Sequence, residues 1–328
     1  MINHLSRVLG SAVGGFSRLR FLGYQSGLFK SVRLEAKVVS IGNLSMGGTG
    51  KTPVVQAAAK HLIRQNKKVA IISRNYKAQI KTVAEVDPAH PGAAEYFGDE
   101  PTLLASTLPG VRVFVGPSKS QTAVWAEREH GPFDVVIVDD GFQHLALARD
   151  LDVVLVDATD PRGLRVVPEG RAREDRRALA RADLILYTKV NWAAPEVVQE
   201  QKSLVPKDIL TLDVPFLTRW PEFSEDLLVG VFSGLARSEA FAEQARKKYF
   251  ARVQKVWNFS DHHRYTTGDL EILKSYLRQD PRAVLVTTEK DSVKIQDETL
   301  CSKMKIATVE AQFSEGNVFF EKLRNLVR

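Results

Sequence analysis

The segment VVSIGNLSMGGTGKTPVV, residues 38–55, constrains the fold most strongly, because it reads as a strand, a glycine-rich loop and the start of a helix. Its glycines allow backbone N–H groups to curl around an anion, and Lys51 can reach the outer phosphates of a nucleotide. Thr52 offers a hydroxyl to a magnesium ion at the start of the helix, where the helix dipole favours negative charge. Ser45 departs from the usual spacing of such loops, which places a glycine there. We therefore predict that nucleotide phosphates are bound by Met46, Gly47, Gly48, Thr49, Gly50, Lys51 and Thr52.

Apolar, β-branched segments alternate with helical patterns along most of the chain. After the loop they recur at residues 68–73, 111–116, 134–139, 152–157 and 183–189, and later at 227–234 and 283–291. Near-continuous apolar strands between helices indicate a buried parallel sheet that is covered on both faces. A chain of 328 residues is long enough for two domains, because single cores rarely grow beyond about 250–300 residues. The alternation of predicted strands and helices stops at residues 213–226, where prolines and acidic residues predict a domain boundary.

Positive charge is concentrated at the N-terminus. The whole chain carries a net charge of +7, and residues 1–37 hold six basic side chains against one acidic one, a net of +5. A basic amphipathic helix here would either lie in the headgroup layer of an anionic membrane or pack on the domain itself. No run of 18 apolar residues is present, so no helix that spans a bilayer is predicted. The apolar face of this helix is predicted to consist of Leu5, Val8, Leu9, Ala12, Phe16 and Leu19.

Composition also argues against other kinds of site and partner. The single cysteine, Cys301, rules out an internal disulfide and a zinc site built from several cysteines. The positive net charge would suit a nucleic-acid partner, but much of the excess lies in the N-terminal segment and no recognised binding motif is present. No nucleic-acid partner is therefore predicted.

A second polar cluster follows the apolar segment at residues 134–139. Asp139 and Asp140 come directly after a predicted strand, which places carboxylates at the carboxyl edge of the sheet beside the phosphate loop. An acid at this place holds magnesium in many phosphate-loop enzymes, although aspartates after strands also form turns and helix caps. We favour the metal role for Asp139. Gln143 and His144 follow at the same rim, where a histidine is either functional or a structural donor.

Three further segments each allow a functional and a structural interpretation. Asp99 and Glu100 precede Pro101, so they are either functional carboxylates or ordinary acids in the first turn of a helix. In WNFSDHHRYTTGDL, residues 257–270, a histidine beside a carboxylate suits proton transfer, or is a loop histidine bonded to backbone. In VVPEGRAREDRR, residues 167–177, the arginines either clamp phosphate or form a solvated surface.

Several motifs occur in an order and spacing that are similar to those of a known family. They are SIGNLSMGGTGKTPVV (40–55), SRNYK (73–77), GDEP (98–101), DDGFQH (139–144), REDRRALARAD (173–183), FSGLA (232–236), FSDHHRYT (259–266) and TTEKD (287–291). Together they resemble the tetraacyldisaccharide 4'-kinase family, the kinases of lipid A biosynthesis, from Val38 to Asp291. The phosphate loop of this family usually lacks a glycine at the place of Ser45.

The resemblance implies an α/β fold: a P-loop NTPase-type α/β/α sandwich with a mostly parallel sheet, plus a second, smaller α/β/α domain. It divides the chain into a membrane-associating segment (1–36), a P-loop kinase domain (37–215) and a smaller α/β domain (216–328). The implied reaction transfers the γ-phosphoryl group of ATP, with Mg²⁺, to the 4'-hydroxyl of tetraacyldisaccharide 1-phosphate and gives lipid IVA. The implied location is the cytoplasmic face of the bacterial inner membrane, where a monomer binds the membrane surface through residues 1–36 and meets its lipid substrate.

The resemblance also implies roles for individual residues. Asp99 and His262 would form a catalytic acid–base pair in which Asp99 takes the proton of the 4'-hydroxyl. Lys51 would stabilise the charge that develops on the transferred phosphate. The metal contacts are expected from Thr52, Glu100 and Asp139. Contacts with the disaccharide or the nucleotide are expected from Asp140, Gln143, His144, Arg173 and Glu174.

The alternative from a different class is a nucleotide-driven switch of the partitioning-ATPase kind, which binds partners and makes no product. Loops of that class resemble KGGxGKT, with a lysine before the glycine pair that acts across a dimer. Met46 occupies that position here, which argues against the switch. A small-molecule ligase with a related loop is a third interpretation, but it would have no use for a basic amphipathic segment at the N-terminus.

Overall fold

The computed structural model describes Gly15 and residues 17–75 and 77–328. Within these residues the chain forms a large sheet in the order β3-β4-β2-β5-β1-β6-β7-β8, in which only the β3–β4 pair is antiparallel. Parallel pairing places the carboxyl ends of the neighbouring strands at one edge, where the phosphate loop follows β1. The strands are β1 (Lys37–Asn43), β2 (Val69–Arg74), β3 (Ala84–Glu85), β4 (Arg112–Gly116), β5 (Val135–Asp139), β6 (Leu151–Asp157), β7 (Leu184–Thr188) and β8 (Thr211–Val214).

Helices cover both faces of the large sheet. Successive side chains of β1 point to opposite faces, so Val39 packs in one core cluster with Val54 of the helix after the loop, while Val38 packs with Ala123 in another. This double burial explains the near-continuous apolar sequence of the strands. The helices are α1 (residues 17–25), α2 (Lys51–Ile63), α3 (Ala93–Tyr96), α4 (Asp99–Thr107), α5 (Lys119–His130) and α6 (Pro195–Ser203).

A second, smaller sheet has the order β11-β10-β12-β13-β9, and only β9 runs antiparallel to its neighbour. Phe241 packs against one face of this sheet, and Leu273 and Leu300 pack against the other. These observations confirm the predicted α/β fold class with a second, smaller sheet. The elements are β9 (Phe216–Arg219), β10 (Leu228–Ser233), α7 (Ser238–Tyr249), β11 (Val253–Asn258), α8 (Thr267–Gln279), β12 (Ala283–Thr288), α9 (Glu289–Ser292), α10 (Glu298–Lys303) and β13 (Met304–Ala311).

The last helix, α11 (Val318–Leu326), returns to the large sheet. Phe319 and Leu323 are fully buried in the same core cluster as Leu62 of α2, and the ring of Phe320 stacks on His61 at 4.2 Å between ring centroids. The helix that follows the phosphate loop is therefore covered by the C-terminal helix. The boundary between residues 215 and 216 stays a prediction: β8 ends at Val214 and β9 begins at Phe216, while α11 packs against α2.

The predicted N-terminal helix is described only in its last part. Leu5, Val8, Leu9, Ala12 and Phe16 lie outside the described residues. Within α1, Leu19 is 69% exposed and Leu22 is 45% exposed, while the guanidinium of Arg20 donates to the backbone oxygen of Gln143 at 3.0 Å. The described part of the helix therefore contacts the domain through one face and exposes leucines on another. Among the described helices, none has the length and apolar character needed to span a membrane.

Candidate active site

The phosphate loop requires glycine at two places. Gly50 caps α2 with φ of +84°, and Gly47 has φ of +113°; both values lie in a region that side-chain-bearing residues rarely adopt. A Cβ on Gly50 would also lie 2.5 Å from Cζ of Phe216, the first residue of β9. The small sheet thus begins directly against the phosphate loop.

Two side chains bind the carbonyl groups of the phosphate loop. The ammonium of Lys189 donates to the backbone oxygen of Gly48 at 2.6 Å and to Asp157 Oδ2 at 2.6 Å. The hydroxyl of Thr188 donates to the backbone oxygen of Thr49 at 2.8 Å. Carbonyl groups bound in this way favour a loop whose N–H groups converge on an anion. The segment around Arg171 supports the loop as well, because its backbone oxygen accepts from the N–H of Met46 at 2.7 Å.

Lys51 lies between two polar side chains of the sheet edge. Its ammonium is 3.4 Å from Asn43 Oδ1 and 3.6 Å from Asp140 Oδ1. Arg173 binds Asp140 through two nitrogens, at 3.0 and 2.8 Å, and donates to Asn43 Oδ1 at 2.6 Å. Burial alone would raise the pKa of Asp140, but the hydrogen bond from Arg173 and the charge of Lys51 hold this pKa well below its usual range. Asp140 is therefore an anion that keeps the two cations at the mouth of the loop.

Asp139 is the buried acid of this edge. It is 5% exposed and accepts a hydrogen bond from Ser73 Oγ at 2.9 Å. Burial raises the pKa of Asp139 to about 6, and the nearby charge of Glu100 adds to this effect. Two neighbouring carboxylates are the oxygen ligands that Mg²⁺ prefers, and Thr52, in the first turn of α2, offers a hydroxyl. The residues present therefore fit the predicted metal, although no group of three or more His, Cys, Asp or Glu suited to a metal occurs within the described ranges.

The catalytic pair implied by the resemblance is in contact. His262 Nδ1 lies 2.8 Å from Asp99 Oδ2. Burial alone would raise the pKa of Asp99, but the hydrogen bond from His262 and the charges of Lys290 and Lys294 lower it to about 2. Asp99 begins α4 on the large sheet, and His262 follows β11 of the small sheet, so the pair joins the two halves of the chain. A cavity of about 50 Å³ opens beside it and is lined also by Lys77, Arg264 and Lys294.

The other rim residues divide into two groups. Gln143 Nε2 donates to the backbone oxygen of Asn43 at 3.0 Å, next to the loop. His144 accepts from the N–H of Ser120 at 3.3 Å, and burial, with the charges of Lys119 and Arg20, lowers the pKa of His144 to about 4. Glu174, in contrast, is 6% exposed and binds Arg181 at 2.9 Å. Its predicted role in substrate binding stays a prediction.

Sequence reasoning identified Lys51 but assigned no role to three other lysines of the site, Lys119, Lys189 and Lys290. Lys119 is buried, and its ammonium donates to the backbone oxygens of Asp139 and Asp140, to the latter at 2.5 Å; burial lowers the pKa of Lys119 to about 8. Lys290 binds Glu100 at 3.2 Å. Lys290, like Lys189, closely follows the end of a parallel strand, so the strand-end rule that selected the aspartates would have found both. No comparable signal marks Lys119.

The model of the LpxK family, described as tetraacyldisaccharide-1-P 4'-kinase, matches residues 2–328. The chain belongs to this family. The resemblance seen in the motifs is thereby confirmed. The chain is 40% identical over 285 residues to the tetraacyldisaccharide 4'-kinase of Bdellovibrio bacteriovorus, covering 83% of this chain and 84% of that protein. It is 38% identical over 319 residues to the tetraacyldisaccharide 4'-kinase of Anaeromyxobacter dehalogenans, covering 91% and 83%.

The fold of this LpxK-family chain is similar to a solved structure of the same family. The "apo" form of LpxK from Aquifex aeolicus in complex with ATP superposes with a TM-score of 0.78 and 24% identity, and the match covers 100% of both chains. The P-loop NTPase-type fold predicted from the sequence is therefore confirmed.

Proposed function

We propose that the chain is an ATP-dependent tetraacyldisaccharide 4'-kinase, which transfers the γ-phosphoryl group to the 4'-hydroxyl of tetraacyldisaccharide 1-phosphate and gives lipid IVA. Membership of the LpxK family over residues 2–328 is the observation that carries this proposal. It favours a kinase over the partitioning-type switch. The contact between Asp99 and His262 supports the proposal independently, because a switch that makes no product needs no acid–base pair near its phosphate loop.

Each residue of the site has a separate role in phosphoryl transfer. The loop binds the phosphates through its N–H groups, and Lys51 stabilises the charge that develops on the transferred group. Thr52, Glu100 and Asp139 would hold the Mg²⁺ ion, which neutralises charge on the phosphate oxygens. Asp99 is unprotonated at neutral pH, because its pKa is about 2, and accepts the proton of the 4'-hydroxyl. Phosphoryl transfer has a loose transition state, and its stabilisation requires mainly positioning of the reactants and neutralisation of charge. A weak base such as Asp99 is therefore sufficient.

The proposed location is the cytoplasmic face of the bacterial inner membrane, to which the N-terminal segment binds a monomeric enzyme. The net charge of +5 in residues 1–37 and the exposed Leu19 and Leu22 support this. We expect the double variant Leu19→Glu and Leu22→Glu to lose most of its binding to anionic lipid vesicles in a co-sedimentation assay. Ile272→Glu, at a similarly exposed place on α8 (51%), is the matched control. Equal binding by the wild type and both variants would refute membrane docking through this helix.

The experiment that tests the kinase activity is direct. Purified protein is incubated with ATP, Mg²⁺ and tetraacyldisaccharide 1-phosphate in detergent, and mass spectrometry is used to look for one added phosphoryl group on the lipid. We expect product with the wild-type protein and with Lys68→Ala, an exposed lysine outside the site, and none with Lys51→Ala. Hydrolysis of ATP without phosphorylated lipid would refute the kinase and favour the switch.

A further inference from the structure

Lys290 links the catalytic pair to the acid beside it. Its ammonium lies 3.2 Å from Glu100 Oε1, 3.2 Å from His262 Nε2 and 4.0 Å from Asp99 Oδ2. Asp99 and Glu100 belong to α4 on the large sheet, whereas Lys290 and His262 belong to the small-sheet half. The lysine side chain is 20% exposed, so solvent screens these contacts only in part.

The carboxylate of Asp291 stabilises the turn that carries Lys290. This carboxylate is fully buried; its Oδ2 accepts from the N–H of Gly234 at 3.0 Å and from Thr288 Oγ1 at 2.8 Å. Its Oδ1 binds the ammonium of Lys294 at 3.1 Å. A buried carboxylate with several donors fixes the surrounding backbone. Lys290 therefore extends from a rigid base towards His262.

The chemistry of Lys290 and Asp99 determines the tautomer of His262. An ammonium group only donates hydrogen bonds, so Nε2 of His262 must accept from Lys290. The proton of the neutral ring is then on Nδ1, which lies 2.8 Å from the carboxylate oxygen of Asp99 that accepts it. Asp261 Oδ2 is 4.0 Å from Nε2, beyond hydrogen-bonding distance. Lys290 and Asp99 thus hold opposite nitrogens of the ring.

We propose that Lys290 is a positioning residue of this kinase, which holds the ring of His262 through Nε2 so that Nδ1–H stays directed at Asp99. Its role in turnover rests on the proposed function. With both nitrogens engaged, His262 orients the carboxylate, and Asp99 is the member of the pair that receives the proton of the substrate hydroxyl. Glu100 accepts a hydrogen bond from the Lys290 ammonium and so keeps it beside the imidazole ring of His262.

The first test is spectroscopic and needs no substrate. In protein labelled with ¹⁵N-histidine, two-bond ¹H–¹⁵N correlation reports which ring nitrogen carries the proton, and His262→Gln assigns the signal. We expect Nδ1–H in the wild type and a changed Nε2 shift in Lys290→Met. Lys247→Met is the matched control, because Lys247 is an exposed lysine on α7 of the same half of the chain; it should leave the Nε2 shift in place.

Two results would overturn the proposal: an Nε2–H ring in the wild type, or an unchanged Nε2 shift in Lys290→Met. The wild-type measurement is decisive even if Lys290→Met does not fold, and Lys290→Gln, which keeps a donor group, provides a second variant.

The second test is a double-mutant cycle in the kinase assay. We expect Lys290→Met to lower kcat at least about tenfold with little change in the KM for ATP, because an orienting contact to the acid–base pair is lost. In a His262→Gln background the same change should cost clearly less, because the effect that Lys290 exerts through the ring is already lost and only its direct charge on Asp99 remains. A full additional loss in that background would refute the role. An inactive wild type would instead refute the kinase function and leave the spectroscopic result to decide.

Discussion

Replacing Asp139 with asparagine should make the metal-free protein relatively more stable as pH rises. Asp139 is 5% exposed and has a pKa of about 6, against an ordinary value of 3.8. Its folded-state pKa is raised, so its contribution to stability is fully present below the ordinary value and is lost as pH rises through about 6. At about 1.4 kcal/mol per pKa unit, the full loss is on the order of 3 kcal/mol.

The quantity to be measured is how the difference in unfolding free energy between the wild type and Asp139→Asn changes with pH. Packing differences between the two proteins do not depend on pH, so they do not affect this change. The introduced asparagine would still accept from Ser73, whose hydroxyl donates to Asp139 Oδ2 at 2.9 Å. The pKa of about 6 already includes the attraction of Asp139 to Lys51 and Lys119, so the loss of this attraction in the variant needs no separate correction. From these two pKa values, the advantage of asparagine should grow by about 1 kcal/mol between about pH 5 and about pH 7.

The assay is urea unfolding in the presence of a chelator at several pH values, for the wild type, Asp139→Asn and Asp208→Asn. Asp208 is exposed, so the same chemical change there serves as the matched control. A difference between wild type and Asp139→Asn that stays constant from about pH 5 to about pH 7 would contradict a pKa of Asp139 that burial raises. ATP with Mg²⁺ should then stabilise the wild type more than the variant, because only the wild type offers both of the carboxylates proposed to bind the metal.

Two further changes test the packing around the site. Gly50→Ala should reduce the free energy of unfolding by about 1–2 kcal/mol or more and weaken ATP binding, because φ is +84° and the new Cβ would meet Phe216. In Gly48→Ala the Cβ meets no described atom within 4 Å, and equal losses in the two variants would count against the steric explanation. Glu174→Gln should cost up to about 3–5 kcal/mol of stability, because it leaves Arg181, whose side chain is only 12% exposed, without its partner charge. Normal thermal stability with a raised KM for the lipid would instead favour substrate binding by Glu174.

The sequence alone was sufficient to predict those elements of the fold whose conformation depends on residues close to them in the chain. The phosphate loop follows from the placement of its glycines, the buried strands follow from their runs of apolar, β-branched residues, and the structure places both where these patterns predict. The partner of β9 could not be predicted in this way, because Phe216 pairs with Ala311 across a long stretch of chain. The return of α11 to α2 is equally a property of tertiary packing.

The catalytic pair shows the same limit at the level of the site. Asp99 and His262 are 163 positions apart in the chain, and neither has a neighbouring sequence that distinguishes it from a helix-start acid or a loop histidine. The family resemblance selected them, and the structure brings them into contact. Lysines were missed because lysine is usually a surface residue, and a single sequence does not show that Lys119 is buried beneath two backbone carbonyl groups.

The packing of α11 on α2 affects the order in which the enzyme can be completed during synthesis. The glycines and Lys51 of the loop leave the ribosome early, but the core beneath the following helix includes Phe319 and Leu323. A nascent chain that already contains every proposed catalytic residue therefore still lacks part of the core of its predicted P-loop kinase domain. Frameshifts and early stop codons within residues 318–326 would remove this part of the core while leaving the catalytic residues intact, and bulky fusions after α11 would crowd it.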